Sequence, residues 1–583
     1  MSSKIKIFMK VLSLVIASLT IVACTVQSPT PDTSSNNSNT SNATVNYDLD
    51  EQKAQINSAN APISSYWFPE ELLVWNASED KDLEFNKSKI PLAKRVDKEK
   101  QYPVNETQNK DTKVVAISIM NASTSGNLSQ GTNQFASNTF SYWQYIDKLV
   151  YWGGSSGEGL IIPPSPEVTD AAHKNGVSTL GTIFFPMLEH GGKMEWLDQF
   201  LQKDADGNFP MVDKLIEVAT TYGFDGWFIN QETQGEEQTP LTANHAANMQ
   251  ELIKEFKEKA GDTLEIMWYD SMTKDGEMDW QNAVTDKNEM FLIDADKKPV
   301  SDSMFLNFWW TNKSLAEQEL LKASQLKSES IGFDSKEVYA GIDLQEKGTL
   351  TPIRWDLLEK QVNDTFTSIG LYCPSWTFFS SNGNIDEFEE KESGLWVNEF
   401  KNPAQPTVVK DTQWKGISTY AIEKSVVTSV PFETNFNMGN GYNFFINGEK
   451  ISSIDWSNRS LADVMPTYRW IMEHEGNNKL TANIDYAQAY YGGNSIKFRG
   501  NIEAEKSSII KLFSADLTLE KGNVLRTVAK SDQPITLDLL LEFHDGEKEQ
   551  IKGDKILDSD WTTVDYPIET VIGKPIKTIG FVL

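Results

Sequence analysis

The segment Gly223-Phe224-Asp225-Gly226-Trp227-Phe228-Ile229-Asn230-Gln231-Glu232 holds the residues best suited to chemistry. Side chains alternate faces along a strand, so Phe228, Asn230 and Glu232 share one face and Trp227, Ile229 and Gln231 the other. With the first set turned inward, Glu232 sits at the mouth of the sheet and Asn230 one step deeper. A carboxyl group among aromatic rings suits general acid catalysis, because desolvation disfavours the carboxylate and raises its pKa toward neutrality. Most glycosidases pair such an acid with a second carboxylate, as nucleophile or base. Here the residue two positions earlier is an amide. That fits a substrate that supplies its own nucleophile, as a 2-acetamido sugar does when its carbonyl oxygen attacks its anomeric carbon. The protein must then hold the acetamido N–H close beneath the ring, and the amide oxygen of Asn230 is a suitable acceptor. The competing reading of a lone Asn-x-Glu is a polar strand end with no chemistry.

Such a pair needs a scaffold of parallel strands. Eight apolar runs follow residue 112: 113–120, 148–154, 177–185, 224–232, 264–271, 304–311, 338–345 and 369–376. Helical candidates lie between them, at Pro166–Asn175, Pro210–Tyr222, Asn244–Ala260, Lys313–Leu326 and Arg354–Thr367. Eight near-continuous apolar strands separated by helices predict an α/β fold, a (β/α)8 TIM barrel. An open doubly wound sheet is the alternative, and no Gly-rich phosphate loop after the first strand supports it. Polar residues gather at the carboxyl ends of the runs: Asn121, Asn230, Glu232, Tyr269, Asp270, Asn307, Asp343 and Ser375. Barrel enzymes place their sites at that end.

Beyond Lys401-Asn402-Pro403 the pattern becomes short alternating strands punctuated by glycine, which predicts β-sandwich-like accessory domains. The expected division is a barrel with an amino-terminal extension over 47–402, a β-rich region over 403–480 and a candidate carbohydrate-binding sandwich over 481–583. At the other end, Lys4, Lys6 and Lys10 precede an apolar stretch from Val11 to Val22, the pattern of a secretory signal over 1–23. Ile21-Val22-Ala23-Cys24 resembles a bacterial lipobox, which implies lipidation at Cys24 and anchoring at the cell surface after export. Residues 24–46, rich in Ser, Thr and Asn, read as a disordered tether.

Composition narrows the partners. Lys plus Arg is 53 and Asp plus Glu is 83, a formal charge of −30. Such a balance argues against nucleic acid and against adhesion to anionic lipid through basic patches. The five His show no metal-ligand spacing, so no metal and no cofactor is expected. Two Cys cannot form a disulfide framework. A monomer is expected, touching a membrane only through its anchor.

The segment GFDGWFINQE resembles the Asn-x-Glu site of the endo-β-N-acetylglucosaminidases of glycoside hydrolase family 85. YWFPEELLVWN (66–76), FNKSKIPLAKR (85–95), AAHKNGVSTLGTIFF (171–185), MWYDS (267–271), FLNFWW (305–310), VYAGID (338–343), PFETNFNMGNGYNFFING (431–448) and MPTYRW (465–470) resemble that family in the same order. The resemblance implies cleavage between the two core N-acetylglucosamines of N-linked glycans, leaving one sugar on Asn. It implies Glu232 as acid/base, Asn230 orienting the acetamido group and Tyr269 contacting it. Asn307, Trp309, Trp310, Trp376 and Asp343 are the candidate substrate contacts. Pro374-Ser375-Trp376 departs from an expected Pro-Glu-Trp, which leaves the Asn-x-Glu pair intact.

Two other readings stay open. A chitinase-type barrel carries Asp-x-x-Asp-x-Asp-x-Glu, where this chain has Asp225, Phe228, Asn230 and Glu232 and so lacks two carboxylates. A non-catalytic glycan-binding lipoprotein is the third. Several further features are set aside. Gly153-Gly154-Ser155-Ser156-Gly157 leads into loop rather than helix, unlike a nucleophile elbow. Asp204-Ala205-Asp206-Gly207-Asn208 lacks the Gly at the sixth position of a calcium loop and the Glu at the twelfth, where Leu215 stands. Cys373 lies in an apolar run and reads as buried and inert. Trp227 reads as core, and adjacency allows at most one of Trp309 and Trp310 to face the site.

Overall fold

The computed structural model describes residues 9–23 and 61–583. Eight strands form the ring: β1 (Val114–Ser118), β2 (Lys148–Tyr151), β3 (Ser178–Phe185), β4 (Gly226–Gln231), β5 (Glu265–Tyr269), β6 (Ser303–Leu306), β7 (Val338–Asp343) and β8 (Ser368–Tyr372). Each pairs in parallel with the next, and β8 pairs with β1 to close a (β/α)8 barrel. Both faces are buried. Val115 and Ile117 of β1 point into an interior with Val150, Leu180, Phe228, Met267, Phe305 and Tyr339. Val114 and Ala116 pack outward into the helical layer. That two-sided burial is why the runs read as continuously apolar.

Helices at Pro166–Lys174, Pro210–Tyr222 and Ala243–Ala260 lie close to their expected bounds. The first two start on proline, whose fixed φ suits the first helical position, and Gly223 ends the second in the left-handed conformation, φ 78°. Two expectations shift. The helix read over Lys313–Leu326 runs instead from Leu320 to Ile331, and Glu319 just before it takes a left-handed φ of 45°. The helix read over Arg354–Thr367 stops at Leu358. There the chain turns into a hairpin of Glu359–Gln361 against Asp364–Thr365, reversed at Asn363 with φ 58°. Asparagine tolerates that conformation better than most residues, and the turn removes the chain from the helical path. Between β5 and β6 the described chain has loop and one 3-10 turn, Glu289–Phe291, where a barrel helix would ordinarily lie.

The carboxyl-terminal strands form a sandwich on one core. One sheet runs in the order Ile471–His474, Ser508–Thr518, Pro575–Val582, Asp538–Phe543, Lys548–Ile551. The other places Met9–Ala23 between Ser495–Glu503 and Asn523–Ser531, antiparallel to both, with Lys479–Asp485 and Thr562–Tyr566 at its edges. Leu14, Ile16 and Leu19 are fully buried there. The apolar stretch read as a signal is thus a sheet strand, and the boundary expected at 480/481 falls inside one sandwich. Cys24 and the tether lie outside the described residues. Among those residues no helix is long and apolar enough to cross a membrane.

Candidate active site

β4 presents the Asn-x-Glu pair as its alternation requires. Gly226 opens the strand at φ 149°, where an added Cβ would lie 2.0 Å from the Glu265 carbonyl oxygen of β5, so only glycine fits. Trp227 faces outward and donates its indole N–H to the Leu215 carbonyl at 3.2 Å. Phe228 points into the barrel. Asn230 follows on the inward face, and Glu232 lies just past the strand end, its backbone N–H donating to the Phe185 carbonyl at 2.8 Å.

The environment of Glu232 is that of an acid. Burial pushes its pKa up to about 7, against hydrogen bonds from Trp280 and Asn230 that favour the carboxylate. Asn230 is 6% exposed, and its Oδ1 is buried without a partner. Buried polar atoms are nearly always satisfied, so Asn230 Oδ1 beside a raised carboxyl is an open acceptor able to take an N–H.

Tyr269 ends β5 and donates its hydroxyl to Asn307 Oδ1 at 2.9 Å. Burial and the neighbouring Glu232 hold its pKa well above the usual phenol value, so it remains a donor. Asn307 donates in turn to Asn282 Oδ1 at 2.9 Å, which also accepts from the Trp309 backbone N–H at 2.9 Å. The fully buried Asp270 anchors this loop. Its carboxylate accepts from the Asn282 N–H at 2.6 Å, the Gln281 N–H at 3.2 Å and the Asn288 side chain at 2.9 Å. Burial raises Asp270 to about 7 despite these donors. Trp280, hydrogen-bonded to Glu232 and Tyr269, is carried by the same loop. Trp280, Trp152, Phe308 and Tyr372 cap the barrel interior as half-buried rings.

The remaining candidates separate. Trp309 is 47% exposed, its ring 5.7 Å from that of Trp280. Trp310 is 1% exposed and donates to the Gly341 carbonyl at 2.7 Å. This corrects its reading as a substrate contact, since a ring sealed in the core offers no face to a sugar. Trp376 is half-buried, packed against the core and Gly348, with the Lys391 ammonium 5.1 Å above its ring. Asp343 ends β7 and accepts from the Gln345 backbone N–H at 2.9 Å, with no hydrogen bond to Asn230 or Glu232. Asp225, the first position of the chitinase-type pattern, lies before β4, bonded to His173 at 2.9 Å and to the Thr179 N–H at 2.7 Å. Phe228, at its second, is a core ring. Sequence reasoning missed Trp280 and Asn282, which lie in a loop without periodicity. The one available signal was a Trp-Gln-Asn run shortly after the polar strand end Tyr269-Asp270. Among the described residues, no group of three or more His, Cys, Asp or Glu is placed to hold a metal ion.

The chain is similar to a cytosolic endo-β-N-acetylglucosaminidase of Danio rerio, 27% identical over 484 residues, 82% of this chain and 60% of that protein. It is similar to the Homo sapiens protein of the same name, 26% identical over 498 residues, 83% of this chain and 59% of that protein. The chain therefore spans about three fifths of the length of these curated relatives. Among solved structures it resembles the glycoside hydrolase domain of Endo-D from Streptococcus pneumoniae R6. The TM-score is 0.77 and the identity 28%, covering 88% of this chain and 78% of that one. The names of the curated relatives place those proteins in the cytosol, which overturns the expectation of an exported chain lipid-anchored at the cell surface. The model of glycosyl hydrolase family 85 matches residues 120–444, more than half of the sequence, and the chain belongs to that family.

Proposed function

We propose that the protein is an endo-β-N-acetylglucosaminidase that cleaves the β1,4 bond between the two core N-acetylglucosamines of N-linked glycans, with retention and with the substrate's acetamido group as nucleophile. The observation that carries this is the buried, unpartnered Asn230 Oδ1 beside a carboxyl held near neutrality. Asn230 accepts the acetamido N–H, which turns the carbonyl oxygen toward the anomeric carbon. That oxygen bonds to C1 as the bond from C1 to the leaving oxygen breaks, and Glu232 gives its proton to the leaving oxygen. The product is a cationic oxazolinium ring, its N–H still held by Asn230, and a Glu232 carboxylate. Water then attacks C1, Glu232 takes its proton, and the ring opens with the original configuration. The Tyr269 hydroxyl, fixed by Asn307, steadies the acetamido group. The relatives' names, which give those proteins as endo-β-N-acetylglucosaminidases, support the reading. The chitinase-type alternative is weakened by Asp225, bonded away from the mouth, and by the ring of Phe228.

The test is incubation with a glycoprotein bearing defined N-glycans, followed by mass spectrometry. A single N-acetylglucosamine left on Asn is expected, and Glu232→Gln should lose hydrolysis while keeping its fold. Intact glycans of every class, or full activity in Glu232→Gln, would overturn the assignment.

A further inference from the structure

A cleft of about 590 Å³ lies away from Glu232, between the loop that leaves β1 and the strands after Asn440. Its floor is a two-way backbone bridge, in which the Thr132 N–H donates to the Ser457 carbonyl at 2.7 Å and the Ser457 N–H to the Thr132 carbonyl at 2.9 Å. Gly131 permits this approach: at φ 57°, a Cβ there would lie 2.5 Å from the Ser457 oxygen. One wall is aromatic. The Phe444 and Trp456 rings lie 5.2 Å apart, both half-buried. Tyr491 packs edge-on against Phe444 at 5.7 Å and is 43% exposed. Asn133 and Asp455 line the rim, both exposed, with no hydrogen bond or ion pair to their side chains from the described residues.

We propose that this cleft is a second carbohydrate site, selective for neutral oligosaccharides. Half-buried aromatic rings offer apolar faces to sugar C–H groups. A free carboxylate and a free amide offer acceptors and a donor to sugar hydroxyls. Apolar walls with a few convergent polar groups are the usual make-up of a small-molecule site. The Asp455 charge, in a chain of net charge −30, disfavours glycans carrying carboxylates such as sialic acid. The loop that forms one side of the cleft leaves β1 at the rim where Glu232 lies, and the further role assigned to the cleft is to take neutral branches of a glycan whose core lies in the barrel. That last role rests on the proposed glycosidase reading; the binding itself does not.

The test uses the full chain and two variants, Phe444→Ala and Asp455→Lys. The probe is a free, mannose-rich N-glycan ending in one N-acetylglucosamine, followed by calorimetry. Two binding events are expected in the parent and one in Phe444→Ala. Asp455→Lys should weaken the neutral glycan and gain binding of a sialylated complex-type glycan. With branched neutral glycopeptides, Phe444→Ala should raise KM about five- to tenfold with kcat unchanged. A minimal Asn-linked chitobiose core should be cleaved equally by both. Unchanged stoichiometry and KM in both variants would overturn the site. Equal parent affinity for neutral and sialylated glycans would overturn its selectivity. If no chain cleaves any glycan but Phe444→Ala still loses a binding event, the glycosidase reading fails and the site stands.

Discussion

In the proposed mechanism Glu232 and Asn230 act as a pair, and each is unusual in a different way. The carboxyl is protonated up to about pH 7, well above its ordinary value of 4.5, and loses its proton as pH rises through the raised value. A reaction that needs the acid form therefore falls on the alkaline side. We expect kcat/KM to show a single descending limb near pH 7, measured from pH 4 to 9 on one glycopeptide. The Trp280 hydrogen bond favours the carboxylate and opposes the rise. Trp280→Phe should move that limb to higher pH while lowering the maximum rate; a limb that stays put would remove Glu232 as its source. Asn230→Ala should lower kcat by roughly 10²-fold or more, on the scale of losing one preorganised polar contact to the reacting group.

At the scale of elements, the loop between β5 and β6 does what a barrel helix would not. It reaches over the mouth, and Asp270 holds it by three donors. Asp270→Ala leaves the Asn282 N–H buried and unpaired, a cost of about 1–3 kcal/mol. We expect denaturant unfolding to show that loss. We also expect the pH limb of Glu232 to move as it does in Trp280→Phe, because the loop positions Trp280. A stability loss with an unmoved limb would show that Asp270 only braces the fold. The eight strands and three of the helices were legible because period and burial are local signals. This loop was not, because its order comes from contacts with β4, β5 and the segment after β6.

For the whole molecule, the 3-10 turn Arg459–Leu461, in the segment that leads to the sandwich, is fastened to the barrel helix Pro166–Lys174 through a buried ion pair. Arg459 lies 2.6 Å from Glu167, both nearly inaccessible, and Arg459 also donates to the Met120 carbonyl at 2.6 Å and to Asn121 where the chain leaves β1. Arg459→Met strands the Glu167 charge and should destabilise the chain by about 3–5 kcal/mol in urea titration. Glu167→Met combined with Arg459→Met should recover most of that loss, since the uncompensated charge is gone. If the double variant is no better than the single, the pair is not the source.

Sequence alone determined the barrel, the Asn-x-Glu pair and which of its neighbours face inward, because strand alternation and two-sided burial are written in residue order. It also separated Trp227 from the site. Tertiary structure decided what depends on distant neighbours. Trp309 lies open and Trp310 sealed only because the chain after β6 bends into a 3-10 turn against β7. The apolar stretch Met9–Ala23 has the composition of a leader and of a buried strand alike, and pairing with Ser495–Glu503 and Asn523–Ser531 makes it a strand in this fold. Hydropathy counts apolar residues in one segment; it does not say what will cover them.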